Sequence, residues 1–555
     1  MGRKRQQTAA LQLSLPDNGS AMWDVVIVGA GLSGLTAAWE LLKSCPKLQV
    51  LVLEGKGRVG GRTQTVMLPC ANGMDMWDLG GQWVGRTQHF VLDLIKDLGL
   101  EMYPQYTSGW KLSHLGGPDN NIRSYYFNIP SISVLALIDL QLFIWKIERL
   151  RKKVAIRNVK SCPQAAEFDS ITVKDFMEKH LWTQEAKECV DLACRAVFGM
   201  ESNVMSFLYF LMYSSASGGF MPLVEATYGS AQEFRIKGGA QQLSERLADS
   251  IGREKILLNS AVSAIHQDLD KVEVRTKSKY FLCKKVIVSC PPHLAAKIQY
   301  QPSLGTERLY LMSKTRVGHM IKFIVTYKTA FWRDMGLSGE IVNRSTIEYP
   351  VCVTYDATSS NGNPAIVGFI SGEQAIIWSQ APAEERETHV ISSLMKFLGF
   401  NAMFYIHYED KDWSQEAFNG GCPVSVMAPK MLTSYYPGFR YRHESIHFAG
   451  TETADVWCGY MDGAVQSGHR SAFEVLFMLS LKDMSLLQNN STATNNSQDE
   501  QGRTGWWRFS KWHLLGATTL TIVFLWHWWK KTFPIQDFTL KSTQREWRFF
   551  PDFVH

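Results

Sequence analysis

Residues Trp23–Val28 (WDVVIV) form an apolar run that leads directly into Gly29-Ala30-Gly31-Leu32-Ser33-Gly34 and then into LTAAWELLKS. A strand, a glycine turn and a helix in that order are the opening of a parallel βαβ unit. Each glycine has its own reason. Gly29 permits the tight turn, Gly31 lets the backbone approach a pyrophosphate, and Gly34 lets helix pack closely on strand. The helix N-terminus then faces the phosphates. A second apolar run, Gln49–Leu53 (QVLVL), ends in Glu54, 20 residues past Gly34. An acid at that place accepts hydrogen bonds from a ribose 2′-OH and disfavours a 2′-phosphate. The unit predicts a dinucleotide site but does not by itself separate NAD from FAD.

Composition sets the frame around this unit. The 555 residues are 45% hydrophobic and 20% charged, which gives core enough for several domains and excludes a disordered or collagen-like chain. Net charge is +6 from 58 basic and 52 acidic residues, too diffuse for a nucleic-acid protein. The 10 Cys show no CxxC pair and no Cys/His ligand spacing, so neither a metal site nor a disulfide framework is predicted. No apolar segment follows Arg3-Lys4-Arg5, so no secretory signal is expected in the extension 1–21.

Directly after Glu54 comes Gly57-Arg58-Val59-Gly60-Gly61-Arg62-Thr63, and then Asp78-Leu79-Gly80-Gly81. An acid, RxGGR and a D-x-G-G turn resemble the extended flavin signature of the flavin-containing amine oxidases. Arg58 and Arg62 are the residue type that pairs with diphosphate, and the paired glycines allow backbone contact with a flat ring. Far along the chain, Ile446–Thr453 (IHFAGTET) and Trp457–Ala464 (WCGYMDGA) give a second strand–turn–helix. This piece resembles the terminal flavin motif of the monoamine oxidases. The resemblance spans about Trp23 to Met478. It continues through QEFRIKGG from Gln232, PPHLAAKI from Pro291, Phe331-Trp332-Arg333, Asp412-Trp413 and Asn419-Gly420-Gly421-Cys422.

The resemblance implies an α/β fold. A Rossmann-type FAD-binding domain would be assembled from 22–105, 237–312 and 416–478, with a mixed-sheet α+β substrate domain from 106–236 and 313–415. It implies FAD held by Gly29, Gly31, Ser33, Gly34, Glu54, Gly55, Arg58, Gly61, Arg62, Gly80, Gly81, Val262, Trp413, Gly450, Glu452, Tyr460 and Met461. It places at Cys422 a thioether to the flavin 8α-methyl. It assigns to Lys297, which follows Pro291-Pro292, the lysine that meets flavin N5 through water, and to Tyr460 one wall of an aromatic cage around the amine. O₂ would be the electron acceptor, and a homodimer would be the oligomeric state.

Three positions depart from the family. Position 423 is Pro where monoamine oxidases place the cage's other aromatic. Glu225 stands where the family has an aliphatic gate residue, and Leu337 falls at another gate position. With Gln232 and Phe369 these residues are the expected substrate pocket. The expected reaction is oxidation of an amine, R-CH₂-NH₂ + O₂ + H₂O giving aldehyde, ammonia and H₂O₂. Polyamine-type oxidation and an amine-binding scaffold with little turnover are the alternatives.

The chain's end adds a membrane expectation. Gln488–Gly505 is polar and turn-rich, within a linker set at 479–511. Trp512–Trp529 (WHLLGATTLTIVFLWHWW) carries no formal charge, and Lys511, Lys530 and Lys531 flank it. A single C-terminal helix there, followed by a short tail 530–555, would tether the globular part. The resemblance points to the outer mitochondrial membrane, with the endoplasmic reticulum as the alternative. Val134–Trp145 is also apolar, but Asp139 and the following Lys146, Glu148, Arg149 and Arg151 predict a core or amphipathic helix.

Overall fold

Met22–Val28 is a central strand of an eight-stranded sheet in the computed structural model, which describes residues 22–116, 121–126, 130–436 and 438–479. It pairs in parallel with Val50–Leu53 on one side and with Tyr280–Val288 on the other. Ile256–Leu257 extends the sheet beyond Val50–Leu53, and Ile446–Phe448 joins Tyr280–Val288, both in parallel. Val272–Thr276 and Val262–Gln267 continue it antiparallel, and Gln299–Gln301 closes that edge. The continuous apolar pattern of the first strand follows from burial on both faces. Val25 and Ile27 pack into one core, and Val26 and Val28 into another. The period of two along a strand produces that division.

Helices Leu32–Ser44 and Met461–Met478 cover one face together. They approach closely because small residues meet at the crossing. A Cβ on Gly468 would lie 2.5 Å from the Ser33 carbonyl oxygen and 2.8 Å from Thr36 Cβ. Ser33 Oγ and Ser467 Oγ are 2.8 Å apart, and Ser33 Oγ also accepts the Gly450 N–H at 2.9 Å. Gly34 is as confined, since a Cβ there would stand 2.0 Å from the Gly29 carbonyl oxygen.

The second large sheet has seven strands, ordered Tyr405–Asp412, Met320–Tyr327, Ala365–Ser371, Val353–Asp356, Leu337–Asn343, Trp110–His114 and Arg123–Tyr125. It is mixed: Leu337–Asn343 runs parallel to Trp110–His114 and the other pairs are antiparallel. Its strands come from 106–236 and 313–415, whereas those of the first sheet come from 22–105, 237–312 and 416–478. A small sheet of Trp83–Val84, Phe234–Ile236 and Met102–Pro104 joins the segments.

Val134–Arg151 is one helix with Ala136, Asp139, Phe143 and Ile147 buried. Asp139 belongs to the buried face because its carboxylate accepts the Trp182 and Thr183 N–H groups at 2.9 and 2.7 Å and the Thr183 hydroxyl. Leu135 and Trp145 on the same helix are exposed, so it is less cleanly amphipathic than its sequence predicts. No helix among the described residues is long and apolar enough to cross a membrane. The expected extension 1–21, anchor 512–529 and tail 530–555 lie outside the described residues, as does the linker beyond Leu479.

The helix crossing generates a stability prediction. Gly468→Val would drive two methyl groups against backbone at Ser33, where nothing can yield. It should cost about 1–3 kcal/mol, as overpacking does in a filled core. Differential scanning calorimetry should show a lowered Tm, and an unchanged Tm would mean that the two helices have room to separate.

Candidate functional site

The parallel strands end at one edge of the first sheet, where ligands of open α/β folds bind. There Gly29 N–H donates to the Leu53 carbonyl at 2.8 Å, Ser289 N–H to Val28 at 2.9 Å, and Ala449 N–H to Val288 at 2.8 Å. A cavity of 580 Å³ opens from this edge. At one end lie Gly29, Gly31, Ser33, Glu54 and Gly55. Glu54 is buried and fixed, its oxygens accepting the Ala30 N–H at 2.7 Å and the Lys56 N–H at 2.9 Å. Helix Leu32–Ser44 starts at Gly31 with no side-chain cap and no acid in its first turn. Its N–H groups are therefore left for an anion.

The cavity continues past Gly60, Gly61, Arg62, Gly80 and Gly81 to Val262, Trp413, Cys422, Gly450, Tyr460 and Met461. The residues present fit FAD. A Cβ on Gly31 would meet only Gly61 Cα, at 4.0 Å, and a Cβ on Gly81 only the Met461 side chain, at 3.8 Å. Both positions are thus bare backbone facing open cavity, the surface a dinucleotide and a flat ring need. Helix Met461–Met478 begins in the same wall, with Tyr460 at its N-cap.

The two arginines act differently from expectation. Arg58 does not line the cavity. Its guanidinium donates to the Thr63 and Gly61 carbonyls at 2.9 and 3.0 Å and to Glu416 at 3.0 Å, so it ties down its own loop. Glu416 also meets Lys56 and Lys411, and against the upward push of burial these two ammonium groups keep it down to about 2. Arg62 does line the cavity, but it is held by Glu452 through two hydrogen bonds of 2.7 and 3.1 Å. It also donates to the Pro423 carbonyl at 2.8 Å. Glu452 is 3% exposed at the side chain and does not line the cavity, so it serves the site through Arg62.

Lys297 lines the cavity with an exposed side chain, just after the short helix Pro292–Ala295. Lys322 lines the same cavity from a strand whose eight residues are all buried. Its ammonium donates to the Gly80 carbonyl at 2.8 Å and to Gln82 Oε1 at 2.6 Å. It sits 5.4 Å from the Trp83 ring centre and 5.6 Å from that of Phe369. Desolvation pulls it from 10.5 down to about 7, with Asp78 opposing. A lone lysine inside an unbroken apolar run, Met320–Tyr327, was the signal in the sequence. Burial pushes the Cys422 thiol in the same cavity up to about 12, against Arg62 and Lys322.

Of the expected substrate residues, Gln232, Phe369 and Pro423 line this cavity with Tyr460. Trp83 and Tyr213 are aromatic lining residues that the motifs did not single out. Tyr213 is buried, its ring centre 6.3 Å from that of Tyr460. Gly459 makes room for it, because a Cβ there would be 2.3 Å from the Tyr213 hydroxyl. Glu225 lines a second cavity of 220 Å³, which shares Trp83, Ala196, Val197, Gln232 and Phe369 with the first. Leu337 lines neither. It starts a strand paired to Trp110 and packs against the core of the second sheet.

Comparison with known proteins agrees with this arrangement. The family model for flavin containing amine oxidoreductase matches residues 32–476. Flavin-containing amine oxidase B of Homo sapiens is 36% identical over 459 residues, covering 82% of this chain and 86% of that protein. Probable flavin-containing monoamine oxidase A of Dictyostelium discoideum is 34% identical, covering 82% of this chain and 98% of its own length. Among solved structures, putrescine oxidase bound to putrescine superposes with a TM-score of 0.77 at 27% identity, covering 82% of this chain and 99% of that one. Cyclohexylamine oxidase from Brevibacterium oxydans gives 0.76 at 29% identity, over 83% and 100%. The chain belongs to the flavin-containing amine oxidases, a family that implies FAD as its cofactor.

Proposed function

We propose that this protein oxidises primary amines to aldehydes, releasing ammonia and passing the electrons to O₂ as H₂O₂, with FAD joined to Cys422. The observation that carries the reading is Lys322, a buried amine between the Trp83 and Phe369 rings in the cavity that holds Cys422 and Tyr460. Bound FAD supplies the two-electron redox step. The chain's own residues bind, orient and exclude water.

Tyr460, Trp83 and Phe369 present rings to an amine nitrogen, and Gln232 places an amide in the same wall. Pro423 removes one aromatic wall, so the amine is held by rings from other elements. Lys322, lowered to about 7, is largely neutral just above neutrality and can hold and release a proton beside the substrate. Cys422 follows Gly420 and Gly421, both at positive φ, where the backbone turns to bring the thiol to the cavity.

Lys322→Met is expected to lower peroxide formation on the order of a hundredfold or more, with flavin content unchanged. It should also remove the inflection near pH 7 from the pH profile of kcat/KM. A wild-type rate in the variant would take Lys322 out of the reaction. The same shift has a stability consequence. Between about 7 and 10.5 the unfolded chain holds a proton on this lysine that the folded chain does not, so stability rises with pH there. Lys322→Met should flatten that rise in urea titrations.

The covalent link has its own test. After acid denaturation the yellow colour should stay with the wild-type polypeptide and leave Cys422→Ala. Release from both proteins would make Cys422 an ordinary buried thiol.

The uncharged run 512–529 supports a further part of the proposal, a C-terminal anchor in the outer mitochondrial membrane. The full chain should resist alkaline carbonate extraction from membranes, and a chain ending at Gly505 should not. Extraction of the full chain would remove the anchor.

A further inference from the structure

The hairpin of strands Thr65–Cys70 and Gly73–Asp78 gathers methionine sulfur on one side. The strands pair antiparallel, with Met67 opposite Met76 and Pro69 opposite Met74. Side chains alternate between the two faces of a strand, so Met67, Pro69, Met74 and Met76 share one face and Leu68, Cys70, Asp75 and Trp77 the other. The second face is the buried one, where Leu68, Cys70 and Trp77 pack with Ala365 and Val367. On the first face Met67, Met74 and Met76 stand in solvent, 60%, 54% and 36% exposed.

The register that brings the three sulfurs together is locked from behind. Asp75, between two of the methionines, is buried, and its carboxylate accepts the Ser359 hydroxyl at 2.6 Å and the Asn363 and Asn361 amides at 2.7 and 3.1 Å. Trp77 Nε1 donates to the Ala357 carbonyl at 2.8 Å. The turn is held by the Asn72 N–H, which donates to Asn363 Oδ1 at 3.2 Å. A slip of one residue would turn the methionines inward and carry Asp75 away from these partners, so the face is fixed.

An exposed strand face ordinarily carries polar residues. This one carries three thioethers with a proline beside them, and no charged residue lies among them. Side chains directly opposite in such a ladder start about 4.5–5.5 Å apart and diagonal ones about 7–8 Å. Methionine can close gaps of that size because its unbranched side chain has three rotatable bonds. Thioethers are neutral, soft donors. They suit a soft, singly charged ion, whereas hard divalent ions take oxygen ligands. Cys70 belongs to the buried face, so no thiolate joins the set.

We propose that Met67, Met74 and Met76 form a binding site for Cu(I), held by three thioether sulfurs on the outer face of this hairpin. None of the three lines either cavity, so the site stands apart from the amine-oxidase reading.

The test uses the full-length FAD-loaded protein under nitrogen, with Cu(I) offered as its bicinchoninate complex. Working at about pH 6 keeps the 10 cysteines protonated and leaves thioethers unchanged. Wild type should take up one equivalent of Cu(I), read as loss of the complex's colour. X-ray absorption at the copper edge should show sulfur ligands. Met67→Leu should lose that equivalent, and so should the double variant Met74→Leu, Met76→Leu. Leucine keeps the exposed apolar bulk, so both variants should hold the flavin absorbance and Tm of wild type. No uptake by wild type would overturn the proposal, as would uptake that both variants retain. Nitrogen or oxygen ligands in the wild-type spectrum would overturn it without recourse to any variant. Excess Zn²⁺ should leave the bound Cu(I) in place, and its displacement would count against three thioethers.

Discussion

The ion pair between Arg62 and Glu452 joins residues 390 positions apart, and the site depends on it. It brings the glycine turn after Glu54 against the strand–turn–helix that closes the globular part. The same guanidinium holds the Pro423 carbonyl, and with it the segment that carries Cys422. Three stretches of chain are thereby fixed around one cavity. Breaking a buried pair of this kind by removing one partner costs about 3–5 kcal/mol, because the other charge is left without compensation. Catalytic geometry and fold stability are for that reason written into one contact.

The dinucleotide unit was legible because its determinants are local. Gly29, Gly31, Gly34 and Glu54 are set by turn geometry, close packing and a hydrogen-bonding acid, all within one βαβ segment. What lay beyond reach was decided by tertiary burial. Lys322 and Lys297 are the same residue type, and each follows a recognisable pattern. Only the packing of the second sheet against the cavity shows that Lys322 is enclosed. The Arg58 contact with Glu416 was out of reach for a similar reason, because the two are 358 residues apart.

Tyr213 and Trp83 line the cavity with Pro423 from other elements of the chain. Glu225 lines the neighbouring cavity together with Lys111 and Glu340. Tyr460 lines the same cavity as Gly81 and Cys422, so the glycine cradle and the wall with Gln232 and Phe369 belong to one lining.

The crossing of helix Leu32–Ser44 by helix Met461–Met478 has a consequence for how the molecule is made. One of its partners leaves the ribosome almost first and the other almost last. Until residue 452 has emerged Arg62 has no Glu452, and until residue 467 has emerged Ser33 has no Ser467, so the cradle has one side. A nascent chain can form the opening βαβ unit but cannot hold the cofactor, so loading belongs to the completed globular part. A message cut short between the opening βαβ unit and that helix yields protein with the nucleotide signature and without the helix that carries Ser467.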